Sequence, residues 1–217
     1  MLTVHHLGRS QSERIVWLCE ELGLDYELKR YARRADNRMA PPEYKALHPI
    51  GSAPVLTDGE LVLGESAAIC DYLIQAHGQG RLAVRHGEPG FADYVYWFHF
   101  ANGTLQPASH RLLTLERVES SNKDAPLRMA RDRFELILST LEARLGETPY
   151  LAGEELTAAD IMTVFSLTTM RVFQPYELSA WPNILAYLQR IGARPAYRRA
   201  MQKAEPDWTP LLGAEPK

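Results

Sequence analysis

Apolar positions in the first 80 residues recur with two different periods. Leu2-Thr3-Val4-His5 reads as a short strand. Ile15, Leu18, Cys19 and Leu22 then fall at i, i+3, i+4 and i+7, one face of a helix that Gly23 is placed to end. Tyr26-Glu27-Leu28 predicts a second strand. Pro41-Pro42 opens a short helix through Leu47, because proline suits a first helical turn. Val55-Leu56-Thr57 and Glu60-Leu61-Val62-Leu63 flank Asp58-Gly59, a strong hairpin signal. A helix follows from Glu65, with Ile69, Tyr72, Leu73 and Ala76 on one face. The order β-α-β-α-β-β-α predicts a parallel βαβ unit joined to a hairpin, giving one mixed sheet with helices packed on it.

The pattern then changes. Gly78, Gly80, Gly87, Pro89 and Gly90, with charge between them, read as a linker. Beyond it only helical periodicity persists. Phe91, Tyr94, Val95 and Phe98 begin a long helix that Pro107 is expected to kink. A second long helix runs from Arg128 to Leu145, with Gly146 as its expected end. Thr157-Ala158-Ala159-Asp160 has capping-box spacing, and Leu156 and Ile161 stand at the staple positions. Shorter helices start near Trp181-Pro182 and Arg194-Pro195. The fold expected is α/β plus all-α: a domain over 1–80, a linker over 81–89 and an all-helical domain over 90–217.

Composition narrows the function classes. The 217 residues are 46% hydrophobic and 24% charged, too apolar for a disordered chain and long enough to bury a core without disulfides or metals. The net charge of −3 and the lack of a dense basic face point away from nucleic acid and anionic membranes. The most apolar stretch, Tyr94 to Ala101, is interrupted by His99 and is far short of the ~20 residues of a membrane span. The start, Met1 to His6, lacks the basic and apolar regions of a signal peptide. Cys19 and Cys70 form no metal-binding spacing and read as buried thiols, so a metal-free protein in the reducing cytoplasm is expected.

Four places can carry chemistry. Ser10-Gln11-Ser12-Glu13-Arg14 turns from the first strand into the first helix. Ser10 and Glu13 fit a capping box; a hydroxyl there can equally face a ligand beside the free helix N–H groups, where anions are favoured. Ala53-Pro54-Val55 enters a strand. The ordinary reading is a trans proline, whereas a cis bond would offer the Val55 backbone to a peptide-like ligand. Gly64-Glu65-Ser66 follows a strand and opens a helix. It caps that helix, or Ser66 binds a carboxylate and Glu65 an ammonium, which together would recognise an amino-acid α-carbon. His99, Asn102 and Gln106 form a polar stripe at spacings of three and four, a solvated face or the lining of a cleft.

The order of these places along the chain resembles a cytosolic glutathione transferase, from a thioredoxin-like first half through the helical second half. Ser10 to Arg14 is similar to the family's active-site turn in its serine-type bacterial and fungal members. His48-Pro49-Ile50-Gly51-Ser52-Ala53-Pro54-Val55-Leu56 resembles its cis-proline stretch, and Gly64 to Ile69 its "ESxAI" element. Thr157 to Asp160 resembles its helical capping motif, and Arg194-Pro195-Ala196-Tyr197 its "RPA" element.

The resemblance implies a glutathione transferase acting on a small hydrophobic electrophile. Ser10, or alternatively Ser12, faces the thiol. Val55 beside Pro54 pairs with the cysteinyl backbone, and Glu65 with Ser66 holds the γ-glutamyl end. Ser52 stands where many members have Lys, and His48 where Asn is common. Arg38 is the candidate replacement for that Lys by its charge. The electrophile pocket falls to the helical half, with His99, Asn102 and Gln106 as its candidates. Two further readings share the fold: a glutathione-dependent disulfide reductase or peroxidase, and a non-catalytic ligand- or partner-binding module. A homodimer is also implied.

Overall fold

A computed structural model describes residues 1–118 and 125–216. The described chain divides into two units, one of residues 1–83 with 191–210, the other of 84–190 with 211–217.

The first unit is built on a four-stranded mixed sheet in the order β2-β1-β3-β4, with β1 at Leu2–Leu7, β2 at Glu27–Tyr31, β3 at Val55–Asp58 and β4 at Leu61–Gly64. β1 runs parallel to β2 and antiparallel to β3, and β3–β4 is the predicted hairpin, with Gly59 at φ 59° in its turn. All six β1 residues are buried, as expected of a central strand covered on both faces. On one face Tyr44, from α2 (Pro42–Lys45), packs with Leu7, Tyr31, Ala40 and Val55. Its ring meets Tyr31 edge-on at 5.0 Å.

α1 (Glu13–Leu22) ends at Gly23, whose φ of 63° needs a residue without Cβ. The sequence shows one apolar face on α1, yet nine of its ten residues are buried. Its polar side is covered by α9 (Pro195–Ala204). Trp17 meets Tyr197 edge-on at 5.0 Å, Arg194 chelates Glu21 at 2.7 and 2.9 Å, and Arg199 and Lys203 converge on Glu20. Residues 191–210, which chain order would assign to the helical half, thus complete the first unit.

α3 (Ser66–Tyr72) passes into a π turn at Leu73–His77. Its buried side is Ile69, Cys70, Leu73 and Ile74, while Ala76 is exposed and Tyr72 half-buried. The widened turn rotates the later residues off the face expected from ideal periodicity.

The second unit begins with α4 (Phe91–Phe100), a π turn at Ala101–Leu105 and α5 (Gln106–Val118). The interruption is this wide turn, and Pro107 sits in the first turn of α5, where it needs no N–H partner. α6 (Ala125–Glu147) continues through Gly146 rather than ending there. A Cβ at Gly146 would lie 2.9 Å from Asn183 Nδ2, so glycine is present for close approach. The predicted capping box opens α7 (Ala158–Leu167), with Leu156 and Ile161 both buried beside it. α8 is Pro182–Ala193. Buried Arg171 donates to the carbonyls of Tyr176, Gly213 and Ala214, fixing residues 211–214 to this unit.

Candidate functional site

The loop between β1 and α1 is held from both sides. The Gly8 amide donates to the Tyr31 carbonyl at 3.0 Å. Arg33 donates to the carbonyls of Gly8 at 2.7 Å and Arg9 at 3.2 Å. The Arg9 amide donates to the Glu205 carboxylate, and Arg9 itself has φ 50°. Ser12, rather than the expected Ser10, occupies the N-cap position of α1 and makes no side-chain cap, and the Glu13 amide donates to the Ser10 carbonyl at 3.1 Å. The Ser10 and Ser12 hydroxyls lie 2.7 Å apart instead, and Ser10 Oγ accepts the Ser12 amide at 3.3 Å. Ser12 is fully buried, accepts the Leu7 amide at 3.1 Å and lies 2.9 Å from His6 Nδ1. Ser10 keeps 6% exposure. Of the two serines, Ser10 is therefore the one that retains a path outward.

Beyond Ser12, His6 Nε2 lies 3.0 Å from Glu205 Oε1. Burial raises the Glu205 carboxyl, but the hydrogen bonds from His6 and the Arg9 amide outweigh it and hold the group below the ordinary glutamate range. The sequence offers no signal for this pair, whose members stand 199 positions apart.

The Ala53–Pro54 bond is cis, as the resemblance implied. Val55 is fully buried, opposite His5 on one side and Gly64 on the other, and its amide serves the Tyr44 hydroxyl. Its backbone is enclosed by the sheet rather than presented outward. Ala53, half-buried and outside the strand, is a backbone position the sequence reading passed over.

Glu65 has φ 65°, a conformation costly for a residue with a side chain, and it makes no cap for α3. Its side chain is exposed, whereas Ser66 is 2% exposed. Ser66 Oγ accepts from Arg14 Nη1 at 3.1 Å, and the same Nη1 donates to Gln11 at 2.6 Å. Arg14 is buried, and burial brings its guanidinium down to about 10. It joins the first turn of α1 to that of α3, a role its sequence position did not reveal. The His48 ring lies against Gly64, where a Cβ would come within 3.2 Å of it, and its Nδ1 accepts the Ile50 amide at 3.3 Å.

Ser52 is exposed. Arg38, at φ 59°, lines a cavity of about 270 Å³ with Gly8, Arg9, Arg33, Arg34 and Glu205, beside the Ser10 turn. In the second unit His99 is exposed, Asn102 half-buried and Gln106 buried. The π turn between them breaks the expected stripe. A cavity of about 470 Å³ in that unit is lined by Leu112, Phe134, Leu138, Tyr176 and Trp181, among others, and by none of those three.

Cys19 and Cys70 form no disulfide and are fully buried. Burial pushes the Cys19 thiol well up and Cys70 to about 12, so neither supplies a thiolate at neutral pH. Among the described residues no group of His, Cys, Asp and Glu is arranged to hold a metal ion, and no helix is long and apolar enough to cross a membrane.

Comparison with known proteins identifies the fold and the family. Residues 9–76 match the model of the glutathione S-transferase N-terminal domain, and residues 104–195 that of its C-terminal domain. Glutathione S-transferase 3 of Schizosaccharomyces pombe is 33% identical over 94% of this chain and 88% of its own. The chain belongs to the glutathione S-transferase family. A transferase crystal structure from Actinobacillus pleuropneumoniae superposes with a TM-score of 0.86 at 35% identity, covering 94% of this chain and 93% of the other. A family member from Pseudomonas fluorescens, solved with two glutathione bound, shares the fold at a TM-score of 0.76 and 23% identity, over 92% of each chain. The transferase family assignment accounts for the four-stranded mixed sheet with its helices and for the helical second unit.

Proposed function

We propose that this transferase binds glutathione on its first unit and delivers the thiolate to a small hydrophobic electrophile. The observation that carries this reading is the Ser10 hydroxyl in the β1–α1 loop, on the less enclosed of its two serines and backed by Ser12 at 2.7 Å. A free thiol titrates near 8.5, so only a few per cent is thiolate at pH 7. A hydroxyl that donates to sulfur favours the anion. Both protein thiols are buried, so glutathione supplies the reacting sulfur.

Ser66, already accepting from Arg14, donates its own proton to the γ-glutamyl carboxylate, and Glu65 accepts from the ammonium. The Ala53 backbone, rather than that of enclosed Val55, pairs with the cysteinyl backbone. Arg38, in the cationic cavity beside the turn, meets the far carboxylate in place of a Lys at Ser52. The reading includes a homodimer in the cytoplasm with a role in detoxification.

Calorimetric titration of reduced glutathione into the wild type and Ser66→Ala tests it. Binding at micromolar to low-millimolar strength is expected, weakened about tenfold or more by the loss of one hydrogen bond to a charged group. A wild type that binds no glutathione overturns the reading.

A further inference from the structure

Four side chains join the Ser10 turn to the segment after α9. Ser10 Oγ is 2.7 Å from Ser12 Oγ, Ser12 Oγ is 2.9 Å from His6 Nδ1, and His6 Nε2 is 3.0 Å from Glu205 Oε1. The sequence of groups looks like a nucleophilic triad, but Ser12 is fully buried and cannot reach a substrate. Of the two serines only Ser10 keeps any exposure, and at the far end of the line Glu205 borders the cavity of about 270 Å³.

Taking His6 as neutral, donor accounting gives one consistent set of bond directions, with the Ser12 proton turned away from the Leu7 carbonyl 3.4 Å off. Ionised Glu205 only accepts, so His6 Nε2 carries a proton and neutral His6 presents a bare Nδ1 to Ser12. Ser12 therefore donates to Nδ1, accepts the Leu7 amide at 3.1 Å and has one lone pair left for the Ser10 proton. Ser10 Oγ then accepts the Ser12 amide at 3.3 Å and keeps a lone pair free to face outward. In this resting state Ser10 is an acceptor for a thiol proton and cannot donate to sulfur.

We propose that His6 is the terminal acceptor of the glutathione thiol proton, reached through Ser10 and Ser12, with Glu205 holding the imidazolium that results. This rests on the transferase reading of Ser10. The S–H bond breaks and its electron pair stays on sulfur. The thiol proton passes to Ser10 Oγ as the Ser10 proton passes to Ser12 Oγ and the Ser12 proton to His6 Nδ1. The Ser10–Ser12 and Ser12–His6 bonds reverse, the His6–Glu205 bond keeps its direction, and Ser10 now donates to the thiolate. After sulfur attacks and the leaving group departs with its electron pair, the proton returns outward by the same path. The charged groups around His6 are Glu205, Arg30 at the paired position on β2 and, beyond the carboxylate, Arg9 and Arg33 of the flanking loops. His6 is 1% exposed, so the carboxylate is what makes the buried imidazolium tolerable. His6, Ser12 and Glu205 are thus positioning and proton-holding residues, and Ser10 alone touches sulfur.

The test uses the full chain as wild type, Glu205→Gln, Ser12→Ala, Ser10→Ala and the Ser10→Ala/Glu205→Gln double variant. Thiolate absorbance of bound glutathione and kcat/KM toward a model electrophile are followed against pH, with glutathione affinity measured by calorimetry. Glu205→Gln should raise the pH midpoint by about one unit, roughly tenfold less thiolate at pH 7, while glutathione still binds. Ser12→Ala should do the same if Glu205→Gln proves insoluble. The double variant should titrate with Ser10→Ala alone, since both act on one path. A folded Glu205→Gln or Ser12→Ala that titrates at the wild-type midpoint overturns the relay and leaves the transferase reading intact. A wild type without glutathione binding sinks both, and the calorimetry separates the two failures.

Discussion

Replacing Asp160 by Asn should cost the second unit a large share of its stability. Asp160 is fully buried at the start of α7. Its Oδ1 accepts the Leu151 amide at 3.0 Å and the Tyr187 hydroxyl at 3.1 Å. Its Oδ2 accepts the Thr157 amide at 2.9 Å and the Thr157 hydroxyl at 3.3 Å. Asparagine has nearly the same shape but one acceptor oxygen. Whichever oxygen becomes NH2, it confronts two donors, at least one of them a fixed backbone amide. Two buried donors left without acceptors at about 1–3 kcal/mol each gives roughly 2–6 kcal/mol. Typical domains are stable by about 5–15 kcal/mol, so the change is easily read. Urea unfolding followed by tryptophan fluorescence, at one protein concentration, should show a lower midpoint with an unchanged slope. Tyr187→Phe removes only one donor and should lose about 0.5–1.5 kcal/mol. A loss below ~1 kcal/mol for Asp160→Asn would refute the accounting.

Two more outcomes follow from single contacts. Burial raises the Glu20 carboxyl, but hydrogen bonds from Lys203, Tyr26 and Arg199 bring it below its ordinary 4.5. Its contribution is therefore complete above that value and is lost as pH falls through the lower folded one. Wild-type unfolding midpoints should fall more steeply from pH 5 to 3 than those of Glu20→Gln, and parallel curves would refute the assignment. Gly146→Ala gains about 1 kcal/mol of helix propensity but drives a Cβ to 2.9 Å from Asn183, which is tied to Glu142. Chemical denaturation should show no net gain, and a stabilised variant would contradict the close-approach argument.

Local chemistry was legible wherever the partners lie within a few positions. Gly23 ending α1, the Asp58-Gly59 hairpin and the Thr157–Asp160 box are set by backbone conformation and by bonds to neighbours along the chain. The alternation of strands and helices followed from the same short-range periodicities. The residue pattern also placed Ser10 and Pro54 in connections between elements and Ser66 at the opening of a helix, while the cis bond was implied only by the resemblance.

Packing decided the rest. α1 reads as amphipathic, yet α9 covers its polar face through ion pairs spanning more than 170 positions. Gly146 looks like a helix end until Asn183 is seen against it. Val55 looks available until strands enclose it on both sides. His6 is an ordinary strand residue in the sequence, and Glu205 an ordinary residue after a helix. Only the docking of α9 brings them to 3.0 Å. A hydrogen bond depends on a few tenths of an ångström, and no periodicity along the chain encodes a distance between residues so far apart in it.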